Sequence, residues 1–121
     1  MSLTDNNPLL LHNPNCSKSR AAKGWLEQQG IEFTERLYLE DKLNREQLLE
    51  LRGLLGAPMR ECVRSGESAF AQAGLSANSS DAEFAAAIES HPILLERPIV
   101  VHSGRAAIGR PLSKIMELFE D

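Results

Sequence analysis

The sequence lacks a hydrophobic run long enough to cross a bilayer. Apolar stretches such as LLL at residues 9–11 and PIVV at residues 98–101 are far shorter than the roughly 20 residues that a membrane-spanning helix needs. The first residues also lack the basic segment and the apolar core that a secretory signal requires. We therefore expect no membrane partner and no export signal.

An excess of positive charge is absent too. The chain has 13 Lys and Arg residues against 17 Asp and Glu residues, which gives a formal net charge of −4. Proteins that collect nucleic acid nonspecifically need a basic field that attracts the phosphate backbone. We therefore expect no nucleic-acid partner.

Cysteine is scarce, since Cys16 and Cys62 are the only two among 121 residues. Two cysteines without an export signal indicate a reducing compartment, in which a thiol is a reactive group or a buried apolar side chain. Neither His91 nor His102 has a cysteine near it at metal-ligand spacing. We therefore predict a cytoplasmic protein without a metal site.

Hydrophobic periodicity predicts a strand, a helix and a second strand in the first part of the chain. Residues 9–12 form a short apolar run that ends at an Asn-Pro pair. Residues 17–29 carry apolar side chains at helical spacing, Ala21 among them, and Gly30 ends the helix. Residues 31–39 alternate apolar and polar types, as a strand does. Because a helix connects the two strands, we expect them to be parallel neighbours.

The middle of the chain is predicted to be a helical insertion of about residues 43–90. Asn44 can cap its first helix, and Gly56 ends that helix. A short helix is predicted at residues 68–74. The last helix of the insertion is predicted at residues 81–90, with either Ser80 or Asp81 as its N-cap.

A β-hairpin and a final helix are predicted at the end of the chain. Residues 97–109, RPIVVHSGRAAIG, contain two extended runs around the turn pair Ser103-Gly104. Pro111 then opens a helix. The whole order is therefore β-α-β, helices, β-β-α, which resembles the plan of the thioredoxin superfamily. It predicts an α/β protein, one domain over residues 1–121, with a mixed four-stranded sheet.

Cys16 lies where the first strand and its loop give way to the helix. Unpaired backbone N–H groups and the helix dipole stabilise a thiolate at such a position. Lys18 and Arg20 follow within one turn, and surroundings of this kind lower a cysteine pKa from near 8.5 to about 3.5–7.5. The same N–H groups bind oxyanions. We predict that Cys16 is a nucleophile beside an anion site, since a buried filler would not call for adjacent cations.

Four segments resemble a known family when taken in order. HNPNCSKSR at residues 12–20 closely resembles the active-site segment of the glutaredoxin-coupled arsenate reductase family, ArsC, and HPILLERPIVV at residues 91–101 resembles a second block of that family. MRECVR at residues 59–64 and GRP at residues 109–111 are similar to two shorter family segments. The resemblance therefore runs from His12 to Pro111 and implies a thioredoxin-like fold.

The resemblance also implies a reaction and its principal residues. Cys16 matches the family nucleophile, which attacks arsenate to form a thiol–arsenate adduct. In the family, glutathione then displaces the arsenic from the cysteine, and glutaredoxin resolves the mixed disulfide that results. Arg64, Arg97 and Arg110 match the arginines that bind the oxyanion, and His12 matches the histidine that tunes the cysteine. Paired guanidinium donors suit a tetrahedral oxyanion such as arsenate. The resemblance therefore implies glutathione as a co-substrate and glutaredoxin as a partner, and no cofactor is expected to stay bound.

Other positions support or modify this picture. Ser19 and Arg20 match the end of the first motif, and Pro98 matches a thioredoxin-type cis-proline that faces the active cysteine. The sequence does not reveal the isomer of the bond before Pro98. Ser17 and Lys18 stand where arsenate reductases typically have Gly-Thr, so the substrate stays open, although Lys18 adds a charge that suits an oxyanion.

Two further functional hypotheses therefore remain. One is a related thiol oxidoreductase that acts on a different oxyanion or a glutathione-linked substrate. The other is a regulator that binds RNA polymerase like the Spx proteins, which typically carry Cys-x-x-Cys where this chain has Cys16 and Ser19. Cys62 is either a resolving thiol or, as we favour, a side chain that packs inward on a short helix.

Overall fold

A computed structural model describes residues 2–6 and 8–120. It contains four strands and five α-helices within those residues. The strands are β1 (Leu9–His12), β2 (Thr34–Leu37), β3 (Ile99–His102) and β4 (Arg105–Ile108). The helices are α1 (Ser17–Gln28), α2 (Arg45–Leu55), α3 (Ser68–Gln72), α4 (Asp81–Ser90) and α5 (Ser113–Glu117). Three short 3₁₀ turns lie at Leu3–Asn6, Met59–Cys62 and Pro92–Leu94.

The strands form one mixed sheet in the order β2-β1-β3-β4. Strands β1 and β2 are parallel, with His12 opposite Leu37 at their last pair. Strand β3 is antiparallel to β1 and forms a hairpin with β4. The predicted parallel pair, the predicted hairpin and the mixed four-stranded sheet are therefore confirmed.

The sheet carries apolar side chains on both faces, because alternate residues of a strand point in opposite directions. Leu9, Leu11 and Ile99 face a larger core cluster that includes side chains of α2 and α4. Leu10 and Val100 face a smaller cluster formed with α1 and α5. Helices therefore cover both faces of the sheet, and each fully buried aliphatic side chain contributes about 1.5–3 kcal/mol to this arrangement.

The helix caps follow the local sequence. Asn44 and Ser80 each form a capping box, and Gly56 ends α2 in the left-handed conformation with φ 67°. Ser80 is thus the cap of α4, while the carboxylate of Asp81 accepts hydrogen bonds from Met59 N–H at 3.0 Å and from the Arg52 guanidinium at 2.9 Å. None of the helices in residues 2–6 and 8–120 combines the length and the apolar character that a membrane span requires.

Some details differ from the sequence predictions: α5 begins at Ser113 and not at Pro111, and α3 ends at Gln72. The second strand covers only Thr34–Leu37 of the predicted residues 31–39, because β1 offers four residues to pair with and the chain then turns. The backbone N–H groups of Glu40 and Asp41 both donate to the Leu37 carbonyl, at 3.0 and 2.8 Å. In α1 the predicted inward residue Ala21 is exposed, whereas Ala22, one position later, is buried with α1's Leu26.

Candidate functional site

The sheet topology brings three separate segments to one edge. The loop after β1 leaves this edge toward α1, and β3 begins here because it runs antiparallel to β1, with Leu11 opposite Ile99. Strand β4 ends at the same edge, since Ile99 also pairs with Ile108. Cys16, in the first segment, therefore lies close to residues just before β3 and just after β4.

Cys16 is the N-cap residue of α1 and is partly exposed. Its N–H donates to the Asn13 carbonyl at 3.0 Å, which closes the loop after β1. Its own carbonyl accepts the N–H of Arg20 at 3.0 Å, the first hydrogen bond of the helix. The thiol consequently sits where the N–H groups of the first helical turn are free to act on it.

The thiol of Cys16 has a pKa below its ordinary value. Partial burial alone would raise that pKa, but the backbone N–H of Ser19, the side chain of Arg97 and the backbone N–H of Lys18 together outweigh burial. Arg97 acts both as a hydrogen-bond donor and through its positive charge. The surroundings of Cys16 therefore favour the thiolate, which is the nucleophilic form of cysteine.

Two of the predicted arginines, Arg97 and Arg110, act on the thiol directly. Arg110 Nη2 lies 3.6 Å from Cys16 Sγ, while its Nε donates to the Arg97 carbonyl at 2.8 Å. The Nε and Nη1 atoms of Arg97 are buried and have no hydrogen-bonding partner among the described residues. These two atoms are donors beside the sulfur that an oxyanion is able to use.

Arg64 joins this group through a carboxylate. One oxygen of Glu96, Oε1, lies 2.8 Å from Arg64 Nη1 and 3.1 Å from Arg110 Nε, and it accepts the backbone N–H of Arg97 at 3.2 Å. Arg64 also pairs with Glu67 at 3.2 Å. Glu96 therefore ties all three predicted arginines together and offsets part of their charge.

His12 supports the loop of Cys16 through Ser19. The Oγ of the fully buried Ser19 lies 2.7 Å from His12 Nδ1 and accepts the N–H of Asn13 at 3.0 Å. Burial lowers the pKa of His12 despite the carboxylate of Glu35, whose Oε1 lies 4.0 Å from Nε2. His12 is thus bound to the residue that anchors the loop, and its described hydrogen bond goes to Ser19.

The side chains of Lys18 and Arg20 lie on the exposed side of α1. Arg20 Nη1 donates to the Pro14 carbonyl at 2.9 Å and so braces the loop. Lys18 lowers the pKa of Cys16 through its backbone N–H. The sequence prediction attributed that effect to the charges of Lys18 and Arg20, but Arg97 supplies the cation, because helical geometry directs the other two side chains toward solvent.

Pro98 and Cys62 also have definite environments. Pro98 is buried, its peptide bond with Arg97 is cis, and its carbonyl accepts the N–H of Gly109 at 2.8 Å. Cys62 is fully buried, its thiol donates to the Met59 carbonyl at 3.1 Å, and burial raises its pKa to about 12. Cys62 therefore has the properties of a packing side chain and not those of a resolving thiol.

Sequence reasoning did not single out Glu96 and Tyr38. An acidic residue directly before Arg97 was the available signal for Glu96, since a half-buried cation usually has an anionic partner. Tyr38 follows Leu37, the last paired residue of β2, and so comes to the same sheet edge as the loop of Cys16. Within the part of the chain that the structure describes, no cluster of three or more His, Cys, Asp or Glu side chains is arranged to hold a metal ion.

Comparisons with known proteins find similarity over most of the chain. The model of the ArsC family matches residues 11–118. An arsenate reductase of Neisseria meningitidis serogroup A is 41% identical over 108 residues, which cover 88% of this chain and 92% of that protein. The uncharacterised Escherichia coli protein YfgD is 38% identical over 111 residues, 90% of this chain and 93% of its own length.

The solved structures include close matches to the fold. The structure of an arsenate reductase from Vibrio cholerae superposes with a TM-score of 0.85 and 38% sequence identity, over 94% of this chain and 100% of that one. A match of this extent confirms the predicted thioredoxin-like fold with helices between its two halves.

Proposed function

The chain belongs to the ArsC family, and on that basis we propose that it is an arsenate reductase with Cys16 as its nucleophile. One observation carries the proposal. The thiol of Cys16, with its lowered pKa, lies beside Arg97, whose Nε and Nη1 are buried donors without a hydrogen-bonding partner among the described residues. A nucleophile and an oxyanion site thus share one small region, and relatives that are named arsenate reductases support an oxidoreductase.

The proposed reaction begins with attack of the Cys16 thiolate on arsenic. A sulfur–arsenic bond forms, and one arsenate oxygen leaves as water after protonation. Glutathione then attacks the sulfur of Cys16, and the electron pair of the sulfur–arsenic bond passes to arsenic. Arsenic is thereby reduced by two electrons to arsenite, while the two thiols are oxidised to one mixed disulfide. Glutaredoxin reduces that disulfide and restores the thiol.

The charged residues divide the work in this proposal. Arg97 binds the oxyanion through its unpartnered donors and also stabilises the thiolate, together with Arg110, whose Nη2 lies 3.6 Å from the sulfur. Arg64 adds positive charge at the rim, held in place by Glu96 at 2.8 Å. The N–H groups at the start of α1 complete the site for negative charge. The use of glutathione fits the cytoplasmic location that the cysteine content indicates.

A coupled assay with arsenate, glutathione and glutaredoxin tests this proposal. We expect the native chain to form arsenite and Cys16→Ser to form none, because a serine hydroxyl does not supply a thiolate. Cys62→Ala is the matched control, and it should keep its activity since Cys62 is buried and protonated. Activity in Cys16→Ser, or an inactive native chain under these conditions, would contradict the proposal.

A second candidate is a related thiol oxidoreductase that reduces a different oxyanion or a glutathione-linked substrate. Ser17 and Lys18 replace the typical Gly-Thr, and Glu96 offsets the charge of Arg64 and Arg110, which lowers the attraction for a dianion. Competition among arsenate, phosphate and sulfate for protection of Cys16 from alkylation separates the candidates. Preferential protection by arsenate favours the arsenate reductase.

An Spx-like regulator has less support, because position 19 is a buried serine that anchors a loop.

A further inference from the structure

Buried polar atoms without a partner are concentrated at the candidate site. Among the described residues four buried side-chain nitrogen or oxygen atoms have no hydrogen-bonding partner, and three of them are Arg97 Nε, Arg97 Nη1 and the hydroxyl of Tyr38. The fourth belongs to His102, which stacks on Phe119 at 4.3 Å. Because an unpaired buried donor is unfavourable, a group of three at one edge of the sheet indicates a site for an acceptor.

The strand register positions Tyr38 beside the loop of Cys16. Leu37 pairs with His12, so the next residues, Tyr38 and Asn13, are neighbours where the parallel strands end. Tyr38 is only 1% exposed, and its ring packs in the larger core cluster. The ring is therefore held rigidly at the edge from which the loop of Cys16 departs.

The groups around the Tyr38 hydroxyl are those of the candidate site. Burial, the largest effect, raises the pKa of Tyr38, and the negative charge of Cys16 raises it further. Arg97, Asn13 and Arg64 lower this pKa, but the net change is a rise. The hydroxyl thus lies close enough to Cys16 and Arg97 for their charges to act on it, and it keeps its proton at neutral pH. Asn13 lowers this pKa as a hydrogen-bond donor toward the hydroxyl oxygen, and no acceptor for the Tyr38 proton lies within hydrogen-bonding distance among the described residues.

We propose that the Tyr38 hydroxyl donates a hydrogen bond to the tetrahedral oxyanion that Arg97 binds beside Cys16. This inference rests on the proposed function only for the identity of the anion. Arginine has donors and no acceptor, so Arg97 is unable to satisfy the proton of Tyr38. An oxyanion has several acceptor oxygens and satisfies Tyr38 and Arg97 together. Tyr38 is therefore a further substrate-binding residue, from a segment outside the four family-like motifs.

The substitution Tyr38→Phe tests this role, because it removes one oxygen atom and keeps the ring. The measurement is the arsenate concentration that half-protects Cys16 from alkylation by iodoacetamide, together with kcat and KM for arsenate. We expect that concentration and KM to rise about tenfold, the effect of losing one hydrogen bond to a charged group. Alkylation without arsenate should keep its pH midpoint and rate, which a merely structural change would alter.

Trp25→Phe is the control, since Trp25 packs against Phe119 in the smaller cluster on the other face of the sheet. It should bind arsenate like the native chain. Equal protection of native protein and Tyr38→Phe would overturn the role of Tyr38 and leave the proposed function intact. If arsenate protects Tyr38→Phe less well than the native protein, and the native protein does not reduce arsenate, the role of Tyr38 is supported and the proposed function is contradicted. No protection of native Cys16 by arsenate, phosphate or sulfate would contradict both.

Discussion

At the scale of single residues, the cation that matters most to Cys16 is distant in the sequence. Arg97 stabilises the thiolate by a hydrogen bond and by charge, whereas the nearby Arg20 is exposed and bonded to the Pro14 carbonyl. Interaction between charges depends on their separation in space and on the exposure of both groups to water. Proximity along the chain is therefore a poor guide to the pKa of this thiol.

Replacing Arg97 should raise the pKa of Cys16. In Arg97→Ala the hydrogen bond and the positive charge that favour the thiolate are lost, so the thiol holds its proton to a higher pH. We expect the midpoint of the alkylation rate against pH to move upward, and kcat/KM for arsenate to fall about 10²-fold. Arg20→Ala is the matched control, with an unchanged midpoint. If Arg20→Ala moved the alkylation midpoint upward by the same amount, the cations near Cys16 in the sequence would explain its pKa and Arg97 would not.

At the scale of elements, the junction of β1 and α1 is held by a buried hydroxyl. Ser19 accepts the N–H of Asn13 and bonds to His12, so a helical residue fixes the last residue of the strand and the first of the loop. Cys16 lies between these anchors and caps the helix without a side-chain capping bond. A thiol therefore occupies the N-cap position, where N–H groups of the first helical turn act on its sulfur.

The substitution Ser19→Ala should destabilise this junction. It leaves the Asn13 N–H and His12 Nδ1 without their common partner in a buried position, which costs about 1–3 kcal/mol for each unpaired group. Ser17→Ala, at an exposed position of the same helical turn, should change the free energy of unfolding by less than about 0.5 kcal/mol. Urea denaturation of both variants measures the difference. Equal stabilities would show that Ser19 is not the anchor.

At the scale of the whole molecule, the site depends on close packing between the segments that border it. A Cβ at Gly109 would lie 2.5 Å from Ile115 Cδ1 and 2.8 Å from Pro98 Cγ. Gly109 thus lets the chain after β4 approach both the residue before β3 and the final helix. This approach brings Arg110 to Cys16.

Two glycine substitutions should have opposite effects on stability. Gly109→Ala forces α5 or Pro98 to move, and overpacking of this kind costs about 1–3 kcal/mol. Gly53→Ala lies inside α2, and beyond its chain neighbours and the nearby backbone of that helix nothing comes within 4 Å of the new Cβ. It should stabilise the protein by about 0.5–1 kcal/mol because alanine favours the helix. Thermal and urea unfolding check both changes. A Gly109→Ala variant as stable as Gly53→Ala would exclude close packing at this point.

Local sequence predicted most elements of the fold, because caps, turns and periodicity act over a few residues. Asn44 begins α2, Gly56 ends it, and Ser103-Gly104 forms the hairpin turn with φ values of 51° and 74°. The length of β2 was not predictable in this way, because it depends on how many residues its partner β1 offers.

What the sequence alone determined is the set of local elements, their order, and a cysteine at the start of a helix within family-like motifs. What only the tertiary structure decided is which side chains surround this cysteine. Arg97 and Arg110 reach the thiol, Glu96 holds the arginines together, and Tyr38 lies at the same edge. The physical reason is the sheet order β2-β1-β3-β4, which gathers the ends of four separate strands at one edge. Electrostatic and hydrogen-bonding interactions follow that arrangement in space.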